Sequence, residues 1–534
     1  MRRFSSYGPI DTEVHYYTPR KKLIEWAYTQ LMGENPKRGG HYITVWAPRQ
    51  CGKTWVMQQI LFKLKKDPQF DVLKINLQSL KDEKAPGKII NAIARKIGEG
   101  LGKKITAVDN QDTFQEIFKK ERLDKPLILI LDEFDALIAE GINSIVGAFR
   151  NIYINRMDEI DKPTEQKSYL LHGVSLIGVR SVLGIENQTG SPFNIQRSVH
   201  IPNLTYDEVK GMFQWYEKES GQKLDEKVVD RLFDETRGQP GLTCWFGELL
   251  TEGCEDYTND TSRPIGMPEF ENIYAAATDV LPNNNILNII SKANEKTYKK
   301  MVLKLFKTDK LVKFKYDNKK INFLYMNGVI VPDLKEGGNR YVKFSCPFVQ
   351  KRLFNYFSDE FFPDMEMLVP PEDDLADAIS DEELDILNIL KRYKNYLVQN
   401  HDWLFKEAPR RNDLRVYEAV FHFNLYMYLS EFLDPFDGRV YPEFPTGNGK
   451  VDLVIHYKKR VYAIEVKSFR DIRTFREALP RAAYYGRQLG LEEITLVLFV
   501  ESFDEKKLQA LQADFHDPQA RVTVKPVIIR TGKV

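Results

Sequence analysis

The sequence predicts an α/β protein with two separate sheets, and three observations predict it. Near the N-terminus, short apolar runs alternate with amphipathic stretches: HYITVWA, a helix from Lys53, FDVLKINL, a long helical region, PLILILDEFDAL and LLHGVSLIGV. Such alternation indicates a largely parallel sheet covered on both faces. From about Thr205 helical periodicity replaces the β-runs, and past about residue 385 a second alternation begins. At 534 residues the chain is long enough for three or four ordinary domains.

The elements follow in order. Residues 1–205 carry the first sheet. Residues 206–284 read as a helical lid, with DEVKGMFQWYEKESG and EKVVDRLFDETRG each ending near a glycine that can cap a helix. Residues 285–358 read as helix, helix and then the β-runs FLYMNGVIVPDL and RYVKFSCPFV joined by KEGGN, the order of a winged helix. Eleven lysines between Lys292 and Lys320 face only Glu295, Asp309 and Asp317, which leaves two readings, a solvated helix face or a phosphate-backbone contact surface. Between Ser358 and Asp385 there is no Lys or Arg, while acids cluster around Pro370-Pro371. Like-charge repulsion favours an extended linker at 359–385, with an acidic competitor for a basic groove as the alternative. Residues 386–534 form the second α/β domain.

Composition narrows the function classes. Lys and Arg number 77 against 76 Asp and Glu, a net charge of +1, so any polyanion-binding surface is local. No apolar run approaches the roughly 18 residues needed to span a bilayer, and the basic start MRRFSSYGPID lacks the apolar core of a secretory signal. Cys51, Cys244, Cys254 and Cys346 lack CxxC spacing, which argues against a disulfide framework or a structural zinc site. The expectation is a cytoplasmic, reduced protein without a membrane segment.

Two stretches carry chemistry. In the first, Ala47-Pro48-Arg49-Gln50-Cys51-Gly52-Lys53-Thr54 follows an apolar strand and opens a helix, the context of a phosphate-binding P-loop. Backbone N–H groups at the helix start cradle phosphates, Lys53 reaches the β- and γ-phosphates, and Thr54 ligates Mg²⁺. Ala47 stands where the usual motif has its first glycine. The buried run Leu127–Leu131 then delivers Asp132 and Glu133, an arrangement that suits a Mg²⁺-shell acid followed by the group that orients or deprotonates the attacking water.

These motifs, with HYYTPRKKLIEW, SLIGVRSVLG and ETRGQPGLTCWFGELL, make residues 10 to 250 resemble the STAND-like AAA-type ATPases written PRQxGKT. The resemblance implies an ATPase core, a lid carrying Gly238-Gln239-Pro240, a winged helix and a homo-oligomer in which a neighbour's arginine completes the site. Arg180 or Ser181 falls at the sensor position that reads the γ-phosphate, and Arg197 is a candidate finger or lid arginine, with a surface role as its alternative; Arg237 is a weaker candidate.

In the second stretch, Lys450–Ile455 and Val461–Lys467 read as two strands joined by a polar turn. Alternation puts Glu465 and Lys467 on one face, and Asp452 on the neighbouring strand reaches the same point. Two carboxylates beside an ammonium suit a Mg²⁺ or Mn²⁺ site that positions a water and stabilises a pentacovalent phosphate. Glu418 lies on the apolar face of the preceding helix, as an additional ligand or as a salt-bridge partner of Arg411, Arg415 or Arg481. The order helix-Glu, strand-Asp, strand-ExK resembles the PD-(D/E)xK nuclease superfamily over residues 400 to 500, with Val451 in place of the proline; Tyr484, Tyr485 and Gln488 resemble the Gln/Tyr motif of its RecB-like members. Ten basic residues between Lys450 and Arg487 against four acids agree with backbone binding to DNA without sequence preference.

The expected fold is therefore α/β: a P-loop AAA-type core with helical lid and winged helix, then a restriction-endonuclease-like domain. The expected function is an ATP-hydrolysing protein with a metal-dependent nuclease that cleaves DNA, in defence against foreign DNA or mobile-element maintenance. A nucleic-acid-binding ATP switch and a metal-dependent RNase are the competing readings.

Overall fold

A computed structural model describes residues 1–178, 197–254, 257–306, 311–362, 375–404, 418–445, 450–469, 471–500 and 511–531. The chain divides into two compact units, residues 1–285 with 315–330, and residues 286–314 with 331–534.

In the first unit the order is α1 (Lys21–Met32), β1 (Tyr42–Trp46), α2 (Lys53–Leu64), β2 (Asp71–Asn76), α3 (Pro86–Leu101), α4 (Gln111–Glu116), β3 (Leu127–Asp132), α5 (Ala139–Asp158), β4 (Leu171–Gly178) and β5 (Arg197–His200). The sheet runs β2-β3-β4-β1-β5 with every pair parallel. Burial on both faces explains why β1, β3 and β4 are apolar without alternation. Leu127, Leu129 and Leu131 pack with α3, α4 and α5 on one face, while Ile128 and Ile130 pack with α1 and α2 on the other. Each such side chain contributes about 1.5–3 kcal/mol of burial. Four helices follow: α6 (Tyr206–Ser220), α7 (Glu226–Thr236), α8 (Pro240–Glu252) and α9 (Met267–Asp279). Thr205 and Glu208 close a capping box on α6, and Gln239 caps α8 ahead of Pro240.

Next come α10 (Asn284–Asn294), α11 (Lys296–Leu305), α12 (Lys319–Met326), β6 (Ile330–Leu334), β7 (Arg340–Phe344) and α13 (Pro347–Phe361). The expected β-run FLYM is helical instead. Asn318 accepts N–H bonds from Lys320 and Ile321, and Ile321 and Leu324 bury at helical spacing, so this run completes α12 and the hairpin shrinks to β6 and β7.

The second unit continues with α14 (Ile386–Leu404), α15 (Glu418–Leu433), β8 (Arg439–Pro445), β9 (Lys450–Tyr457), β10 (Arg460–Ser468), α16 (Ile472–Gln488), β11 (Glu493–Val500), β12 (Phe515–Asp517) and β13 (Val522–Arg530). Its sheet runs β12-β13-β11-β10-β9-β8. β8, β9 and β10 form an antiparallel meander, and the α16 crossover makes β11 parallel to β10. α16 covers one face through Phe475, Ala478, Leu479, Ala482 and Ala483.

Within the expected linker at 359–385, residues 359–361 close α13. Residues 363–374 lie outside the described residues, but 375–385 pack against the second sheet. Ala378 and Leu384 are buried, the Leu384 N–H donates to Tyr462 Oη at 2.8 Å, and Asp377 and Glu383 pair with Arg392 and Arg460. Partnered carboxylates and two apolar anchors overcome the repulsion that the acidic run suggests. Among the described residues no helix is long and apolar enough to cross a membrane, and all four cysteines are free thiols.

Candidate functional site

The first site is built where β1 and β3 end. Because both strands run parallel with β4 between them, residues 47–54 and Asp132 emerge at the same end of the sheet. The loop turns through Gln50 at φ 55° and Gly52 at φ 82°, and Gly52 caps α2. Lys53 Nζ donates to the carbonyls of Ala47 at 2.8 Å and Pro48 at 2.9 Å. Burial lowers the ammonium's pKa, with the charges of Cys51, Asp135, Glu133 and Asp132 opposing. Thr54 is exposed at the first turn of α2, Cys51 is buried with its thiol pushed up by burial, and Arg49 is exposed.

Asp132 is 5% exposed. One carboxylate oxygen accepts the Glu133 N–H at 3.1 Å and the other pairs with Lys74 at 2.9 Å. Glu133 holds a left-handed backbone at φ 55°, a strained choice for a non-glycine residue. Burial raises its carboxyl pKa, and the charges of Asp135 and Asp132 add to the shift. Asp135 fits against the end of β4 because residue 178 is glycine: a Cβ there would lie 2.6 Å from Asp135 Oδ1.

The lid docks on the loop. Gly241 N–H donates to the Gln50 carbonyl at 3.0 Å, and Gln239 Nε2 donates to the carbonyls of Arg49 at 3.1 Å and Gln50 at 3.3 Å. This brings Gly238 and Pro240 to the P-loop. Arg197 is not brought there. It opens β5 opposite Ile43, at the far end of the sheet from the loop, and binds Glu34 at 2.8 Å and Gln30 at 3.0 Å. Within its own chain Arg197 therefore makes the contacts of the surface alternative. Arg237 pairs with Asp234, and Arg180 and Ser181 lie outside the described residues. Sequence reasoning missed two cations: Lys74, and Arg20, whose guanidinium reaches the carbonyls of Pro202 and Asn203 and the carboxylate of Glu208.

The second site sits at the C-terminal end of β10. Beyond the Leu453–Ile464 pair, β9 and β10 stop exchanging backbone bonds, and Asp452 Oδ2 accepts the Val466 N–H at 2.7 Å instead. Lys467 Nζ lies 2.7 Å from Glu465 Oε1 and 3.5 Å from Asp452 Oδ2. Asp452, Glu465 and Lys467 are 2%, 2% and 5% exposed. Burial raises the Glu465 carboxyl pKa, Asp452 adds to the rise and Lys467 opposes it. Glu465 Oε2 is buried with no hydrogen-bond partner among the described residues. On the α16 side, burial and then the charge of Glu465 raise the Tyr485 phenol. A cavity of about 100 Å³ beside Lys467 is lined by Thr474, Glu477 and Arg481. From α15, His422 Nε2 reaches the Asp452 carbonyl at 3.2 Å, a contact no sequence signal gave. Gln488 bonds Tyr484 Oη at 3.2 Å.

The donor set fits a hard divalent cation. Mg²⁺ is commonly held by one or two carboxylates, with water and phosphate oxygens completing its shell. Asp452 and Glu465 offer two, and the orphaned Oε2 is an acceptor in need of a cation. Among the described residues no group of three His, Cys, Asp or Glu is placed to hold a metal ion. The Glu418 side chain lies outside them, as do Arg411 and Arg415.

Residues 5–246 match the family model described as AAA-like domain. No curated protein matches the sequence. Among solved structures, the chain is similar to the Orc1 protein of Aeropyrum pernix in complex with DNA, at 16% identity over 63% of this chain and 92% of that one, with a TM-score of 0.31. It is also similar to a Walker-type ATPase of Pyrococcus abyssi, at 15% identity over 66% and 99%, with a TM-score of 0.39. A third is Cdc6p of Pyrobaculum aerophilum, at 15% identity over 66% and 97%, with a TM-score of 0.36.

Proposed function

We propose that this chain, whose residues 5–246 form an AAA-like domain, binds and hydrolyses ATP and carries a C-terminal metal-dependent nuclease that cleaves DNA phosphodiesters. The observation that carries the nuclease reading is the buried convergence of Asp452, Glu465 and Lys467, with Glu465 Oε2 lacking a hydrogen-bond partner among the described residues. A carboxylate oxygen left bare at such depth costs about 1–3 kcal/mol unless something fills its shell. Asp452 and Glu465 would hold Mg²⁺ or Mn²⁺, which supplies a metal-activated water and charge neutralisation at phosphate. Lys467 holds both carboxylates in register and presents an ammonium to the developing negative charge. The element order α15-β8-β9-β10-α16-β11 supports a PD-(D/E)xK-like core, because the meander and crossover bring these residues to one strand end.

In the AAA-like domain, the N–H groups of residues 49–54 and Lys53 would hold the ATP phosphates, Thr54 and Asp132 the Mg²⁺, and Glu133 the attacking water. Gln239 and the start of α8 grip the same loop, which supports a lid that senses its occupancy. DNA is the proposed partner: Lys296, Lys300 and Lys304 are exposed on one stripe of α11, a like-charge row that weakens an isolated helix and suits a phosphate backbone. Replacing Lys300 by Ala should reduce the salt slope of DNA binding by about one. A homo-oligomer that supplies an arginine in trans, a cytoplasmic setting, and defence against foreign DNA or mobile-element maintenance complete the proposal.

One observation favours a second reading. Lys467 pairs with both carboxylates, and burial beside Asp452 raises the Glu465 pKa, so a protonated Glu465 beside an Asp452–Lys467 pair can stand without metal in an ATP switch that binds nucleic acid and does not cut it. The deciding experiment is cleavage of supercoiled and linear duplex DNA, single-stranded DNA and RNA with Mg²⁺ or Mn²⁺, with and without ATP, for wild type, Lys467→Ala and Lys53→Ala. Metal-dependent DNA cutting lost in Lys467→Ala is expected. RNA-only cutting selects an RNase, and no cutting with ATP turnover intact selects the switch.

A further inference from the structure

Lys74 sits on β2 opposite Ile130, and its ammonium crosses to the carboxylate two places further along β3, 2.9 Å from Asp132 Oδ2. The other oxygen of Asp132 is engaged by the Glu133 N–H. The Asp132 side chain is 7% exposed and that of Lys74 23%, so the carboxylate is buried while the lysine stem keeps an opening to solvent. A carboxylate at that depth needs a counter-charge. In the ATP site proposed above, the same carboxylate belongs to the Mg²⁺ shell. The same carboxylate is thus claimed by two cations that repel each other.

We propose that Lys74 is the internal counter-ion of Asp132 in the nucleotide-free protein, that Mg²⁺ entering with nucleotide displaces it, and that this exchange sets the Mg²⁺ concentration at which the site fills. The inference rests on the nucleotide-binding reading of residues 47–54. Lysine suits the role: a point charge on a flexible, partly exposed stem leaves as a unit, whereas the planar fork of arginine holds a carboxylate through two bonds. Lys53 is in a matching condition, its ammonium held by the Ala47 and Pro48 carbonyls. Both lysines of the site are therefore bound by protein groups that nucleotide and metal must replace. A lysine that instead stayed in place to hold Asp132 for the metal would act in the opposite direction, since its removal would weaken Mg²⁺.

The test is a Mg²⁺ titration of binding of a fluorescent, non-hydrolysable ATP analogue to the full chain, for wild type, Lys74→Met, Lys74→Gln and Lys53→Ala. The half-saturating Mg²⁺ concentration should fall about fivefold in Lys74→Met, the equivalent of about 1 kcal/mol for a partly buried ion pair. Lys74→Gln, which keeps a hydrogen-bond donor, should show the same direction and serves if the methionine variant does not fold. As a second readout, the thermal midpoint of each Lys74 variant in EDTA should drop below wild type and recover with Mg²⁺ and the analogue. An unchanged or higher Mg²⁺ requirement in both variants overturns the proposal while leaving nucleotide binding intact. Failure of wild type to bind the analogue at any Mg²⁺ concentration, with Lys53→Ala indistinguishable from it, overturns the nucleotide-binding reading and this proposal together.

Discussion

Gly238 and Leu204 approach so closely that a Cβ at 238 would lie 2.0 Å from the Leu204 carbonyl oxygen, and the Leu204 N–H in turn donates to the Gly238 carbonyl at 2.8 Å. Gly238 also holds φ +67°. Gly238→Ala should therefore cost about 1–3 kcal/mol through backbone strain and clash. It should also weaken ATP-analogue binding, because the displaced segment carries Gln239 onto the P-loop. Gly211, on α6 with nothing within 4 Å of a built Cβ, is the control: Gly211→Ala should stabilise by about 0.5–1 kcal/mol. Denaturant midpoints and titrations of the two variants decide it.

Acid should loosen the first unit through His172. Its imidazole is fully buried, with Nδ1 2.9 Å from Thr164 Oγ1 and Nε2 3.3 Å from the Met32 carbonyl. Thr164 Oγ1 accepts from Arg156, so its own proton goes to Nδ1 and the ring is neutral with its hydrogen on Nε2. Burial, with the charge of Arg156 behind it, lowers the ring pKa from 6.5 to about 3. The unfolded chain therefore binds the proton first, and stability falls as pH drops from 6.5 towards 3, by up to about 1.4 kcal/mol per unit. Denaturant melts at pH 7 and pH 5 should show the loss, and His172→Gln should flatten it.

Lys467→Met should leave two buried carboxylates facing each other. Removing one partner of a buried ion pair costs about 3–5 kcal/mol, so the unfolding transition of the second unit should move down in EDTA. Mn²⁺ should restore the variant by more than it stabilises wild type. Equal Mn²⁺ stabilisation of both proteins would show that the carboxylates do not hold metal.

Arg197→Ala separates the two roles weighed for that residue. A true arginine finger supplies on the order of 10³ in turnover. With its guanidinium on Glu34 and Gln30, the variant should keep ATP turnover within about twofold of wild type, the scale of an exposed ion pair. A drop of two orders of magnitude in a steady-state assay would return Arg197 to the site, supplied from another subunit.

What is legible in the sequence is what local pattern decides. Lys53 and Thr54 are readable because strand, turn and helix start lie within a dozen residues, and Glu465 and Lys467 because strand alternation alone puts them on one face. Lys74 and Arg197 are not readable, because their neighbours follow from the register of parallel strands joined by long crossovers: Asn76 against Asp132, and Arg197 against Ile43. The run FLYM misleads because aromatic and aliphatic residues suit either element, and only the Asn318 cap with burial at 321 and 324 selects the helix. Residues 375–385 look like a tether by charge, yet Arg392 and Arg460, which lie outside the segment, pair with Asp377 and Glu383.

The way β9 parts from β10 bears on the choice of an inactive allele. Asp452 Oδ2 stands in for a main-chain carbonyl by accepting the Val466 N–H, so the side chain serves as a structural stitch as well as a proposed metal ligand. An alanine there would leave a buried donor bare and let the two strands gape, and lost cutting would then report a torn sheet as readily as lost chemistry. Glu465→Gln leaves the stitch untouched and keeps the side chain's shape, which makes it the cleaner knockout for any phenotype assigned to cleavage.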